Sequence, residues 1–87
     1  MNILSSSYFQ KKYKKIVKKD PHLIELIEKK FILLQSAPTH PSLRLHKLTG
    51  KLTDSWSISI RTNLRIIFQY VENDILLTNI GSHDEVY

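Results

Sequence analysis

Partway along this 87-residue chain the apolar residues change their spacing, and that change limits the possible folds more than any other feature. In the first part the spacing is helical. Phe9, Tyr13, Ile16 and Val17 fall at i, i+4, i+7 and i+8, one face of a helix that begins near Tyr8. Ser5, Ser6 or Ser7 can cap it. Asp20-Pro21 restarts the chain, with Asp20 as the cap and Pro21 at the first helical position. Leu23, Ile24, Ile27, Phe31 and Leu34 form a second stripe, widened by Leu26, Ile32 and Leu33. The segment Ser36-Ala37-Pro38-Thr39-His40-Pro41 ends it. Beyond that point the period falls to two. Leu43, Leu45 and Leu48 suggest a strand, and Thr49-Gly50-Lys51 a turn. Trp56, Ile58 and Ile60 alternate with Ser57, Ser59 and Arg61, as in a half-buried strand. Thr62-Asn63 leads into a mostly apolar strand from Leu64 to Val71, Glu72-Asn73-Asp74 signals a hairpin turn, and Ile75 to Ile80 is the last strand. Residues 2–4 add a short strand at the start. The order reads β-α-α-β-β-β, an α+β fold with two N-terminal helices on one face of a twisted antiparallel sheet. Residues 1–87 are read as one domain, too short for a second core.

Charge narrows the class of partner. Lys and Arg number 13 against 8 Asp and Glu, a net charge of +5. A small basic domain favours nucleic acid, an acidic protein or an anionic membrane surface. Lys11, Lys12, Lys14, Lys15, Lys18 and Lys19 all precede the first acid, Asp20, and all lie off the apolar stripe. That face is either solvated or an anion contact. The absence of cysteine excludes disulfides, thiolate metal sites and cysteine nucleophiles, and fits a reducing cytosol. Residues 1–5 lack the charged-then-apolar order of a signal peptide, and no apolar run is long enough to span a membrane, so a soluble cytoplasmic protein is expected. There is no Gly-rich phosphate loop, HExxH or GxSxG, and no two of the four histidines have ligand spacing on one helix. Neither a metal nor another cofactor is expected.

The chemistry gathers in the sheet half: His46, Lys47, Lys51, Arg61, Arg65, His83 and Tyr87. Chain ends usually fray, yet here Gly81 is followed by Ser82-His83-Asp84-Glu85-Val86-Tyr87, directly after a strand. Arg65 interrupts the apolar run Leu64-Ile66-Ile67-Phe68. A lone buried charge is costly, so Arg65 either pairs with an acid such as Asp84 or Glu85 or opens onto an anion site, where its planar fork suits phosphate. His46 and His83 can form an acid–base pair. Metal-free RNA cleavage needs a base for the 2′-OH proton, a cation for the phosphorane and an acid for the leaving 5′-oxygen. Histidine titrates in the right range for both proton transfers, and arginine supplies the charge. The plain alternative is that both histidines are surface residues. Trp56 reads as core, while Tyr87 can dock on the sheet or stack on a base. His22 and His40 carry no argument beyond exposure.

The ordered set His46-x-Leu48-x-Gly50, Trp56-Ser57-Ile58-Ser59-Ile60-Arg61, Asn63-Leu64-Arg65-Ile66-Ile67-Phe68 and Ile80-Gly81-Ser82-His83-Asp84-Glu85-Val86-Tyr87 resembles the RelE/YafQ/ParE superfamily of type II toxins over nearly the whole chain. The likeness is to YafQ-like and RelE/StbE-like mRNA interferases, and the Ser-x-x-Phe-x-Lys-x-x-Lys character of residues 6–15 fits the family's first helix. The resemblance implies a ribosome-dependent, metal-independent endoribonuclease that cuts mRNA in the ribosomal A site. It also implies a cognate acidic antitoxin that wraps the toxin in a hetero-oligomeric complex. By position it implies catalytic roles for His46, His83, Arg61 and Arg65, and substrate orientation by Tyr87. Lys47, Lys51, Lys11, Lys12 and Lys15 are the expected RNA contacts. The chain departs from a YafQ-like site in having Ser59 and Asn63 where that site places a histidine and an aspartate, and Leu64 where relatives often have an aromatic. ParE-like members inhibit DNA gyrase and generally lack the C-terminal histidine, so His83 favours the ribonuclease. A non-catalytic basic RNA- or protein-binding module is the remaining alternative.

Overall fold

The change of period becomes a change of element. In the computed structural model, which describes residues 1–50 and 54–87, a short strand β1 (Ile3–Ser5) leads into helices α1 (Ser7–Lys19) and α2 (His22–Ser36). A 3-10 turn (Pro41–Leu43) and strands β2 (His46–Lys47), β3 (Trp56–Arg61), β4 (Leu64–Val71) and β5 (Asp74–Gly81) follow, and a single turn of helix, α3 (His83–Val86), ends the chain.

Local chemistry fixes the helix ends. Ser6 caps α1, its Oγ accepting from the Phe9 N–H at 3.1 Å. Asp20 is not the side-chain cap expected for α2. Pro21 takes the cap position without a side-chain bond, and the Asp20 carboxylate turns instead to Arg61 at 3.1 Å.

The five strands form one sheet in the order β1-β5-β4-β3-β2. The α+β class and the packing of both helices on one face are as the pattern predicts, but four strands follow the helices where the order β-α-α-β-β-β has three, and α3 closes the chain. The sheet is antiparallel from β5 to β2, but β1 joins β5 in parallel, with Ile3 opposite Ile75. The strand expected over Leu43 to Leu48 shrinks to two residues. Leu43 is buried in the 3-10 turn, and Arg44 then takes the left-handed region at φ 48°, which no strand can continue through.

Phe9, Leu23, Ile27 and Leu34 from the helices meet Ile58, Ile60, Leu64, Ile66, Phe68, Ile75, Leu77 and Ile80 from the sheet, forming the main core. Trp56 packs at its margin, as expected. Strand alternation sends Ile67 to the opposite face, where Leu48 and Val86 cover it in a small second cluster. That second face is where the polar residues of β2, β3 and β4 collect.

Side chains cover two outward carbonyls at the ends of the β1 edge. The Asn2 carbonyl accepts from the Ile75 N–H at 2.9 Å, so alternate carbonyls face outward. The Gln10 amide donates to the outward Ser5 carbonyl at 3.3 Å, and the Gln35 amide to the Met1 carbonyl at 2.9 Å.

Candidate functional site

The sheet face away from α1 and α2 carries a hydroxyl and imidazole network. His46 on β2 is the register partner of Ser57 on β3, so their side chains stand together on this face. Ser57 is completely buried. The Tyr87 hydroxyl donates to Ser57 Oγ at 2.6 Å and lies 3.3 Å from His46 Nε2. His46 Nδ1 lies 3.1 Å from the Arg44 carbonyl. A carbonyl only accepts, so Nδ1 carries a hydrogen; with the one Tyr87 hydroxyl hydrogen given to Ser57, His46 bonds the Tyr87 oxygen by donating from Nε2, which needs the ring protonated on both nitrogens.

His83 completes the group from α3. Its ring meets the Tyr87 ring edge-on, with centroids 4.4 Å apart at 84°, while the His46 and Tyr87 centroids are 6.4 Å apart at 63°. The Tyr87 ring thus touches both imidazoles. The His83 side chain is 60% exposed, and its Nδ1 lies 3.6 Å from Asp84 Oδ1.

The tail holds this position because α3 is capped at its start and buried at its end. Ser82 Oγ accepts from the Glu85 N–H at 3.3 Å, and Glu85 Oε1 accepts from the Ser82 N–H at 2.9 Å, a reciprocal capping box. The Ser82 backbone N–H above all, then the Ser82 side chain, hold the Glu85 carboxyl below the usual glutamate range; desolvation opposes them, and the Lys12 charge adds a smaller lowering. Val86 is buried against Ile67 and Leu48. Asp84 and Glu85 therefore do not pair with Arg65, as one reading of the sequence expects. Glu85 caps the tail, and Asp84 is fully solvent-exposed beside His83.

The two arginines part company. Arg65 stands opposite Ser59 on one side and Gly81 on the other, on the face of the network. It is half-buried, and its buried Nε has no hydrogen-bond partner. Simple alternation would put Arg61 on the same face as Ser57 and Ser59. A register shift between Ser59 and Arg61 sets Arg61 opposite Leu64 instead, a residue of the main core. Arg61 emerges on the helix side and pairs with Asp20 at 3.1 Å. It does not join His83 as the sequence reading expects.

The lysines divide as well. Lys12 donates to Asn79 Oδ1 at 2.6 Å and, with Lys15, borders a recess shared with Asn63, Gly81, Ser82 and Glu85. Lys11 is exposed on α1. Lys47 pairs with Trp56 in the register and so alternates to the face away from His46. Lys51 and its part of the expected turn lie outside the described residues; Gly50, with φ 73°, has the left-handed backbone that a turn glycine supplies. Among the described residues no cluster of three or more His, Asp or Glu could hold a metal ion.

A family model described as a bacterial toxin of type II toxin-antitoxin system, YafQ, matches residues 1–87. The chain belongs to the YafQ toxin family. Among solved structures it is similar to a metal-bound toxin from Helicobacter pylori, 30% identical over 100% of this chain and 99% of that one, with a TM-score of 0.86. YafQ from E. coli strain BL21(DE3) superposes with a TM-score of 0.83 at 15% identity, covering 99% of this chain and 97% of that one. The YafQ chain of the E. coli DinJ-YafQ toxin-antitoxin complex gives 0.81 at 16% identity, covering 99% and 96%. No curated protein matches the chain. The superfamily assignment and the fold class stand, and the chain is a toxin of a type II toxin-antitoxin system.

Within this YafQ-family fold, two residues escaped the sequence reading. Ser57 was visible only as the polar member of an alternating strand. A buried serine must find a partner, but nothing in the sequence said that the partner came from thirty residues further on. Arg44 sat inside a supposed strand, and no turn glycine marked its left-handed backbone.

Proposed function

We propose that this YafQ-family toxin is a ribosome-dependent, metal-independent endoribonuclease that cleaves mRNA by 2′-OH attack. The supporting observation is the Tyr87 ring held between His46 and His83 on the polar sheet face, with Arg65 on the same face. In the reaction the substrate 2′-oxygen bonds to the adjacent phosphorus while the bond from phosphorus to the 5′-oxygen breaks. One imidazole takes the 2′-OH proton and the other gives a proton to the leaving 5′-oxygen, leaving a 2′,3′-cyclic phosphate and a free 5′-OH. Arg65 stabilises the charge that develops on the phosphoryl oxygens. Tyr87 orients the His46 ring through its hydroxyl and offers its ring to a base. Lys11, Lys12 and Lys15 on α1, together with Lys47 and Lys51, supply cationic contacts for ribosomal or messenger RNA.

An acidic antitoxin is the expected protein partner, consistent with the antitoxin-bound E. coli YafQ structure. The working compartment is the cytoplasm, where translating ribosomes are. No helix of the described residues is long and apolar enough to cross a membrane.

Primer extension on an mRNA, translated and untranslated, tests the reading. Cuts at codon positions are expected only with ribosomes, and His83→Ala should reduce them by about 10²-fold or more. An uncut message together with inhibited DNA gyrase would transfer the chain to the ParE-like activity. Absence of both effects would favour a non-catalytic binding module.

A further inference from the structure

Arg44 links the site to a second feature. Its backbone has φ 48°, a left-handed conformation that L side chains adopt at a cost and that clusters at functional sites. This local geometry has two outcomes. The Arg44 carbonyl meets His46 Nδ1 at 3.1 Å, and the side chain lines a cleft of about 440 Å³.

The cleft is rich in donors and poor in acceptors. Lys30, Arg44 and Arg61 line it with Ser42, Ser59 and Thr62, and no carboxylate is among its lining residues; Ser42 Oγ lies 2.9 Å from His40 Nδ1 and Ser59 Oγ donates to the Arg61 carbonyl at 3.3 Å, so the donors left for a ligand are chiefly those of the cations. Lys30 Nζ is 3.1 Å from the Ser42 carbonyl. One nitrogen of Arg61 is engaged by Asp20, which leaves the rest of its fork available. Arg44 forms no ion pair among the described residues. Three cations with unspent donors suit a tetrahedral oxyanion, since guanidinium forks match phosphate oxygens.

We propose that this cleft is a phosphate subsite for an RNA strand, one backbone step along from the Tyr87 centre. The spacing favours RNA over an acidic protein. Arg44 joins the two places: its carbonyl meets the His46 ring, and it lines the cleft, which opens at the unpaired edge of β3 beginning two residues, about 7 Å, beyond Ser57. A strand whose scissile phosphate lies at His46 therefore carries its neighbouring phosphate toward the cleft. The identity of the ligand as RNA rests on the ribonuclease reading; the anion site itself does not.

Two titrations of the full chain test this. Inorganic phosphate followed by backbone amide NMR should give saturable shifts at Ser42, Ser59 and Thr62. A short 2′-O-methyl oligoribonucleotide, which cannot be cleaved, should bind about fivefold to tenfold more weakly to Arg44→Ala. The slope of log affinity against log salt should also fall by about 0.7, the loss of one single-strand phosphate contact. Arg44→Gly separates charge from folding. It relieves the left-handed backbone and still removes the guanidinium, so it should melt no lower than Arg44→Ala and bind as weakly. Absence of saturable shifts, or wild-type oligonucleotide affinity in both variants, overturns the subsite. Loss of affinity for an acidic peptide with unchanged oligonucleotide binding would assign the cleft to a protein partner and also overturn it. If phosphate and oligonucleotide bind as expected but primer extension finds no cuts, the ribonuclease reading fails while the anion site stands.

Discussion

Replacing Tyr87 with Phe removes one oxygen and keeps the ring, and the structure sets what this should cost. Ser57 is completely buried, and its recorded hydrogen-bond partner is the Tyr87 hydroxyl at 2.6 Å. Without that hydroxyl, a buried serine oxygen is left unsatisfied, at about 1–3 kcal/mol. The reverse substitution is milder. In Ser57→Ala the Tyr87 hydroxyl keeps His46 Nε2 at 3.3 Å, and Tyr87 itself is 43% exposed, so water can serve it. That loss is one ordinary hydrogen bond, about 1 kcal/mol. The double variant removes donor and acceptor together and should cost about as much as Ser57→Ala alone, a coupling of about 1–3 kcal/mol. In a domain of this size each kcal/mol moves Tm by about 4–8 °C. Thermal unfolding of the four proteins of the cycle reads this directly. Tyr87→Phe should melt lowest, and adding Ser57→Ala to it should raise Tm. Additive losses, or a Ser57→Ala protein less stable than Tyr87→Phe, would show that the buried hydroxyl pair does not hold the tail.

Two further outcomes follow from the same geometry. Glu85 has its folded pKa lowered, so the stability it gives α3 is present above the ordinary glutamate range and is lost as pH falls through the lowered value; amide protection at Glu85 and Val86, taken relative to the intrinsic exchange rate at each pH, should fall below about pH 4, whereas Glu85→Gln, which keeps the cap without the titration, should show no such step. The Arg61–Asp20 pair is solvent-exposed, with side chains 54% and 35% accessible, so Arg61→Ala should cost no more than about 1 kcal/mol and lower cleavage less than about tenfold, whereas Arg65→Ala should lower it about 10²-fold in the primer-extension assay.

The sequence was most legible where a periodic pattern was long. Phe9, Tyr13, Ile16 and Val17 pack against the core as their helical spacing predicts, and Trp56, Ile58 and Ile60 alternate inward. Three-residue β1 was visible as an element, but its parallel pairing with β5 depends on contacts more than seventy positions away. Alternation misplaces Arg61 because it assumes an unbroken register, and one irregularity between Ser59 and Arg61 reverses the direction of the side chain. A histidine and a tyrosine mark the tail in the sequence, and the structure adds why it is ordered: a Ser82–Glu85 capping box and a buried Val86. Ser57 could not be read as part of the site, because its partners come from β2 and from beyond β5.

The glutamine amides over β1 tie the solubility of the chain to the docking of its helices. Gln10 sits on α1 and Gln35 on α2, so these two edge carbonyls stay covered only while both helices remain seated. A partly unfolded chain that has released either helix presents outward carbonyls beside the apolar side chains of Ile3 and Leu4, a template for strand addition by a second copy. Self-association of this toxin should therefore begin from helix undocking, well before the sheet itself melts.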